Sequence, residues 1–169
     1  MNKEKIGMDL IKNRRSVRSF KEKSLSLKTV EKILEAGRWA PSGLNNQPWR
    51  FMVLEKSDKD RLVPYTHYGH VVKAADKVVL VFLDKKKSYH REKDLMALGA
   101  CIQNMLLAAS AVKLGACWLG EILNQKKAIQ KALNCAHTLE LWGCIALGVP
   151  AKRPGGGRRF PLKKLIVKI

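Results

Sequence analysis

The sequence predicts a single layered domain of alternating helices and strands, and three observations predict it. Apolar positions switch repeatedly between helical spacing and strand-like runs along the 169 residues, no linker interrupts that alternation, and one long apolar helix stands in the middle. Alternation of this kind, taken alone, points to a doubly wound parallel sheet. No Gly-x-Gly-x-x-Gly follows any of the strands, so a dinucleotide-binding site of the Rossmann type is not supported.

The elements follow in order. Ile6, Leu10 and Ile11 mark a short first helix over 6–13, ending where the basic run Lys12-Asn13-Arg14-Arg15-Ser16-Val17-Arg18 begins. Ser26 is placed to cap a second helix through Ala40, with Leu27, Val30, Ile33 and Leu34 at helical spacing and Pro41 and Gly43 to break it. Residues 49–55 suit a pleated strand, and 76–84, apolar without interruption, read as a strand buried on both faces. A short helix and a loop join them.

From His90 to Leu114 one helix is apolar on nearly all its faces and belongs in the middle of the molecule, with Gly115 placed to end it. Gly99, Gln103, Asn104 and Ser110 argue against a membrane span, because their polar groups are costly in lipid. Residues 116–120 read as a short strand, Asn124 as the cap of a helix carrying Ile129 and Leu133, and 138–148 as the last strand. Pro150, Pro154, the glycines at 155–157 and Pro161 exclude regular structure from the tail. Lys152, Arg153, Arg158, Arg159, Lys163 and Lys164 make it basic, so it is expected to be flexible or to lie along another surface.

Composition narrows the partners. With 33 Lys and Arg against 14 Asp and Glu, the net charge of +19 favours an anion: a phosphate-bearing cofactor, an acidic substrate or a nucleic acid. A basic nucleic-acid-binding module is the alternative reading, but the positive residues are spread over the whole chain, stacking aromatics are few and no RNA- or DNA-binding signature is present. The charged first fifteen residues offer no apolar core for a secretion signal, so a cytoplasmic protein is expected. Cys101, Cys117, Cys135 and Cys144 lie in apolar segments with no Cys-x-x-Cys pair and read as reduced core residues. His67 and His70 have a metal-compatible spacing but no third ligand nearby, and Trp39, Trp49, Trp118 and Trp142 read as core aromatics.

Three segments carry a family resemblance. Arg14-Arg15-Ser16-Val17-Arg18-Ser19-Phe20 is similar to the RRSxRxF start of the nitroreductase family, and Ala40-Pro41-Ser42-Gly43-Leu44-Asn45-Asn46-Gln47-Pro48-Trp49 resembles its APSxxNxQPW signature almost letter for letter. Trp118-Leu119-Gly120, with Gly148-Val149-Pro150 through Arg158-Arg159-Phe160-Pro161-Leu162, resembles the family's WLG strand and its closing GxP…RxPL segment. The resemblance implies an α+β three-layer fold, a mixed sheet flanked by helices, in place of the doubly wound arrangement. It implies an intertwined homodimer with FMN between the subunits, and one domain over 1–169 whose residues 150–169 extend over the partner.

It also implies the site. A phosphate of nearly two negative charges wants guanidinium and hydroxyl donors, and on an extended segment Arg14, Ser16 and Arg18 share one side while Arg15 and Val17 face elsewhere. Arg15 corresponds to a family position that often contacts phosphate through main chain, and Arg158 and Arg159 to C-terminal phosphate ligands. Asn45, assisted by Gln47 and offered by the other subunit, is expected at the pyrimidine edge of the flavin, with Pro41, Ser42 and Gly43 lying against the ring. Leu119, Gly120 and Glu121 are expected near flavin N5, where a backbone N–H would stand.

The activity implied is ping-pong transfer of two electrons from NADH or NADPH to a small organic acceptor such as a nitroaromatic or quinone. Dehalogenation or enone reduction on the same fold are alternatives. No catalytic side chain is required beyond the flavin, no metal is expected, neither nucleic acid nor membrane is an expected partner, and the stretch Tyr65 to Ala75 is the candidate substrate lid.

Overall fold

A computed structural model describes residues 3–152 and 154–167. Four strands, β1 (Trp49–Glu55), β2 (Lys77–Asp84), β3 (Gly115–Trp118) and β4 (Leu139–Gly148), form one sheet in the order β1-β2-β4-β3. All three pairings are antiparallel. The doubly wound arrangement fails because the β1–β2 and β3–β4 connections each start and finish at the same end of the sheet, which forces neighbours to run oppositely whatever helices they contain. A parallel element enters the expected mixed sheet only as the isolated bridge of Ser16 to Ala116 on the outer edge of β3.

The unbroken apolar run of β2 is explained by its place: all eight residues are buried, because the strand lies inside the sheet and both faces are covered. Val79, Val81 and Leu83 face one helical layer, α2 (Leu27–Arg38) and α5 (Arg91–Ala111), whose Val30, Ile33, Leu98, Ile102 and Met105 complete that core. Val78, Leu80 and Phe82 face the opposite layer with Leu62, Val71, Val72, Ile122 and Ile129. This second layer holds α3 (Lys56–Asp60), α4 (Gly69–Ala74) and α6 (Lys126–Ala132), and α1 (Lys3–Asn13) packs near the end of α5. The result is the α+β, three-layer class.

Helix α5 is apolar and long enough to cross a membrane by length and composition, yet it is clasped between α2 and the sheet, with Leu98, Cys101, Ile102 and Met105 essentially inaccessible. Its end differs from the expected one. The left-handed residue is Lys113, at φ 61°, and not Gly115. Lys113 N–H donates to Ser110 O at 3.0 Å and Leu114 N–H to Ala109 O at 2.8 Å, the paired bonds of a Schellman ending. Gly115 instead opens β3, where a Cβ would stand 2.7 Å from Val17 Cγ1, so it is small to admit the 14–18 segment.

Other boundaries shift for local reasons. Ser26 does cap α2, accepting from Thr29 N–H at 3.2 Å, but that helix stops at Arg38. Asn124 lies inside a 3-10 turn over 121–125, and Gln125, without a side-chain bond, precedes α6. Trp49 is core, whereas Trp39 is 74% exposed, its indole N–H donating to Glu35, and Trp118 is 41% exposed. The four cysteines are free, with Cys101, Cys117 and Cys144 buried. Among the described residues of the tail a 3-10 turn at Leu162–Lys164 is the one helical element, and Arg153 lies outside the described residues.

Candidate active site

The basic run after α1 becomes an extra edge to the sheet. Val17 N–H donates to Ala116 O at 2.9 Å and Val17 is buried, which fixes the alternation around it. Ser16 lies against the Cys117 sulfur, and the Arg14 and Arg18 charges are close enough to act on it. Burial pushes that thiol up, while the Arg18 charge, a Ser16 hydrogen bond and the Arg14 charge act the other way. Arg14 and Ser16 are half-buried and Arg18 is exposed, an arrangement of two guanidiniums and a hydroxyl suited to a dianionic phosphate.

Arg15 points elsewhere. Its guanidinium donates to Lys12 O at 2.5 Å, Arg14 O at 2.9 Å and Gly155 O at 3.2 Å, so it fastens the C-terminal tail to the end of α1. Arg158 and Arg159 are exposed and leave from this side, Arg159 donating to Arg158 O at 2.7 Å. Among the described residues neither guanidinium hydrogen-bonds to Arg14, Ser16 or Arg18.

Continuing along the same edge, Leu119 is buried and its N–H donates to Cys144 O at 2.8 Å, turning the chain into the 121–125 turn. Among the described residues the N–H groups of Gly120 and Glu121 meet no backbone acceptor, and nothing lies within 4 Å of a Cβ built at Gly120. Gly120 is exposed, so two backbone donors without a backbone acceptor lie at the start of this turn, just past Arg18. The Glu121 carboxylate turns away to accept from Thr66 Oγ1 at 2.7 Å and His67 N–H at 3.2 Å, tying the Tyr65–Ala75 segment to this position. His67 itself is exposed, and among the described residues no group of three metal-binding side chains forms.

The third candidate segment, 41–47, is a tightly folded loop. Leu44, Asn45 and Gln47 all have φ between 46° and 53°, the left-handed region that non-glycine residues avoid. Ser42 Oγ accepts from Gln47 N–H at 3.1 Å, and Gln47 Nε2 donates to Asn45 O at 3.3 Å, while the Asn45 side chain is exposed. Asn46 turns inward and donates to Lys87 O at 2.9 Å and to Asp94 Oδ1 at 2.8 Å. Gly43 is glycine because a Cβ there would lie 1.8 Å from the Tyr89 hydroxyl. Sequence reasoning missed Asp94 and Tyr89; an acid in the first turn of a helix reads as an ordinary dipole partner, and nothing local shows that it is buried.

Within one chain these segments do not meet. The 14–18 and 119–121 groups line the β3 edge, whereas Pro48 enters β1 at the opposite edge, where its carbonyl accepts from Asp84 N–H. Three strand spacings across and about seven residues along separate Ser16 from Pro48 by roughly 25–30 Å, and about four residues along leave Leu119 roughly 20 Å from it.

Comparison with known proteins accords with this frame. The family model described as "Nitroreductase family" matches residues 11–76 and 66–149. A protein of Archaeoglobus fulgidus, named by inference as an NADH dehydrogenase/NAD(P)H nitroreductase, is 30% identical over 149 residues, covering 85% of this chain and 84% of its own. An iodotyrosine deiodinase of Thermotoga neapolitana is 28% identical over 191 residues, covering 97% of both. Among solved structures, a protein of Desulfovibrio desulfuricans described as a nitroreductase in complex with FMN superposes with a TM-score of 0.92 at 46% identity, covering 96% of this chain and 95% of that one. The chain belongs to the nitroreductase family.

Proposed function

We propose that the protein is an FMN-dependent oxidoreductase that carries two electrons from NADH or NADPH to a nitroaromatic, quinone or similar small acceptor, one substrate leaving before the other enters. The observation that carries this reading is the β3 edge. Arg14, Ser16 and Arg18 alternate with the buried Val17 along an extended segment and all act on Cys117, and the Gly120 and Glu121 N–H groups, without backbone acceptors, lie a few residues further along. An elongated ligand with a dianion at one end and an acceptor nitrogen at the other fits that order of donors, and the similar Desulfovibrio structure holds FMN.

When bound, FMN would supply the two-electron redox chemistry. The chain's own residues bind and orient. Arg14 and Arg18 hold the phosphate by charge-assisted hydrogen bonds, and Ser16 adds a hydroxyl donor. Arg18 also offers positive charge on the side where negative charge develops during reduction. Gly120 and Glu121 would offer backbone N–H donors to the flavin ring, and the Thr66–Glu121 bond ties the Tyr65–Ala75 segment to that turn.

A homodimer completes the site. The loop bearing Pro41, Ser42, Gly43, Asn45 and Gln47 is too far from the β3 edge of its own chain, so it reaches the flavin bound by the partner, with Asn45 at the pyrimidine edge. The 150–169 tail carries Phe160, Leu162 and Leu165 more than 60% exposed, surface that a partner subunit would cover, and it brings Arg158 and Arg159 toward the phosphate. A cytoplasmic setting suits free buried cysteines. The deiodinase relative favours a second reading, reductive dehalogenation on the same cofactor site.

The test uses purified protein stripped of flavin and titrated with FMN. Saturable binding near one FMN per chain, bleaching by NADH or NADPH and reoxidation by a quinone are expected, with affinity at least tenfold weaker in Arg14→Ala/Arg18→Ala. A colourless protein that takes up no FMN, or a double variant of unchanged affinity, overturns the reading. Halogenated phenol as acceptor separates the second reading from the first.

A further inference from the structure

We propose that Asp94 is a positioning residue for the flavin loop: through Asn46 it holds residues 44–47 in the conformation that presents Asn45 and Gln47 outward. The inference rests on the function proposed above but concerns residues outside the expected ligand set.

Three left-handed non-glycine residues within four positions are unfavourable for a free chain, and such a loop persists only when its surroundings over-determine it. Asn46, at φ −70°, is the right-handed residue between Asn45 and Gln47, and its side chain is tied to the body of the protein. Its amide bridges Lys87 O and Asp94 Oδ1. Of the loop's other ties, Ser42 Oγ to Gln47 N–H and Gln47 Nε2 to Asn45 O are internal and move with it, and Arg50 Nη1 at the start of β1 donates to Gln47 O at 3.3 Å, a longer bond that holds only the loop's last residue.

Asp94 is built to be an anchor. It is inaccessible to solvent, and both carboxylate oxygens are engaged: Oδ1 by Asn46, and Oδ2 by Ser88 Oγ at 2.7 Å, Tyr89 N–H at 3.0 Å and His90 N–H at 3.2 Å. Burial pushes its carboxyl up, but the donors from Ser88, Asn46, His90 and Tyr89 outweigh it and keep the group ionised. The same carboxylate therefore holds the 88–90 turn, whose Tyr89 packs on Gly43. One buried charge sets the loop from two sides. An amide at position 94 cannot serve both sets of donors as well, because it carries one acceptor oxygen in place of two.

The test compares the wild type with Asn46→Ala and Asp94→Asn, each first shown to fold by circular dichroism. In apo protein, amide exchange over residues 43–47 is expected to quicken about tenfold in both variants while exchange across β2 is unchanged. In FMN titrations the dissociation constant is expected to rise about tenfold, by the fraction of time the loop spends away from its binding conformation. The visible band of bound flavin should shift as the contact at its pyrimidine edge loosens. If wild type binds FMN and both single variants match it in exchange and affinity, the positioning role is refuted. If wild type itself binds no FMN, the proposed function fails, while the apo exchange data still decide whether Asp94 holds the loop. Should Asp94→Asn not fold, Asn46→Ala alone decides the matter.

Discussion

Replacing Glu140 by Gln tests how charge is balanced where β4 begins. Glu140 accepts from Arg91 Nη1 at 2.8 Å and Nη2 at 3.0 Å and from Lys126 Nζ at 2.6 Å, and both cations also stand over the Trp142 ring, at 5.2 Å and 4.0 Å. The Arg91 hydrogen bonds first, and then Lys126, hold the carboxyl at about 2 against burial, which acts in the opposite direction. A drop from 4.5 to about 2 has a ceiling of about 3 kcal/mol of stability. Because the Arg91 side chain is 53% exposed, screening reduces this to about 1–2 kcal/mol.

The folded pKa lies below the unfolded one, so this stabilisation is fully present above about pH 4.5 and is lost as pH falls toward 2. Glu140→Gln should therefore lower the urea midpoint at pH 7 by about 0.5–1 M, with the slope unchanged. The gap between wild type and variant should close progressively below pH 4.5. Tryptophan fluorescence at fixed protein concentration, with reductant present, reads both. Equal midpoints at pH 7, or a gap that stays constant down to pH 3, would refute the reasoning.

Two further outcomes are expected. Lys113→Gly should raise the melting temperature by about 2–4 °C in calorimetry, since glycine relieves a left-handed residue at the end of α5 while the Schellman bonds remain. Thr66→Ala, which removes the bond to Glu121 Oε2, should raise the KM for the electron acceptor severalfold and leave FMN affinity within twofold, as steady-state kinetics and flavin titration will show.

Much of the fold was legible because its signals are local. The strand at 49–55 and the Ser26 cap depend on residues within a few positions of one another, and the structure has both. The end of α5 was misread because Gly115 is the residue that prefers a left-handed turn, whereas Lys113 is the residue the turn requires; the glycine answers to Val17, almost a hundred residues away. Trp39 was misread for a similar reason. Its indole lies beyond the last turn of α2, on a side that no element among the described residues covers.

The sequence by itself determined the three-motif framework, the alternation that puts Arg14, Ser16 and Arg18 on one side, and the apolar character of α5. These follow from residue type and from the two-residue and 3.6-residue periods, which are properties of the backbone before it folds. Only the tertiary structure decided that every strand pairing is antiparallel, that Arg15 is spent on the tail, and that Asp94 reaches back to Asn46. It alone showed that the two halves of the candidate site stand at opposite edges of one sheet. Sheet order and long-range hydrogen bonds are fixed by which faces bury one another, and that depends on all the elements at once.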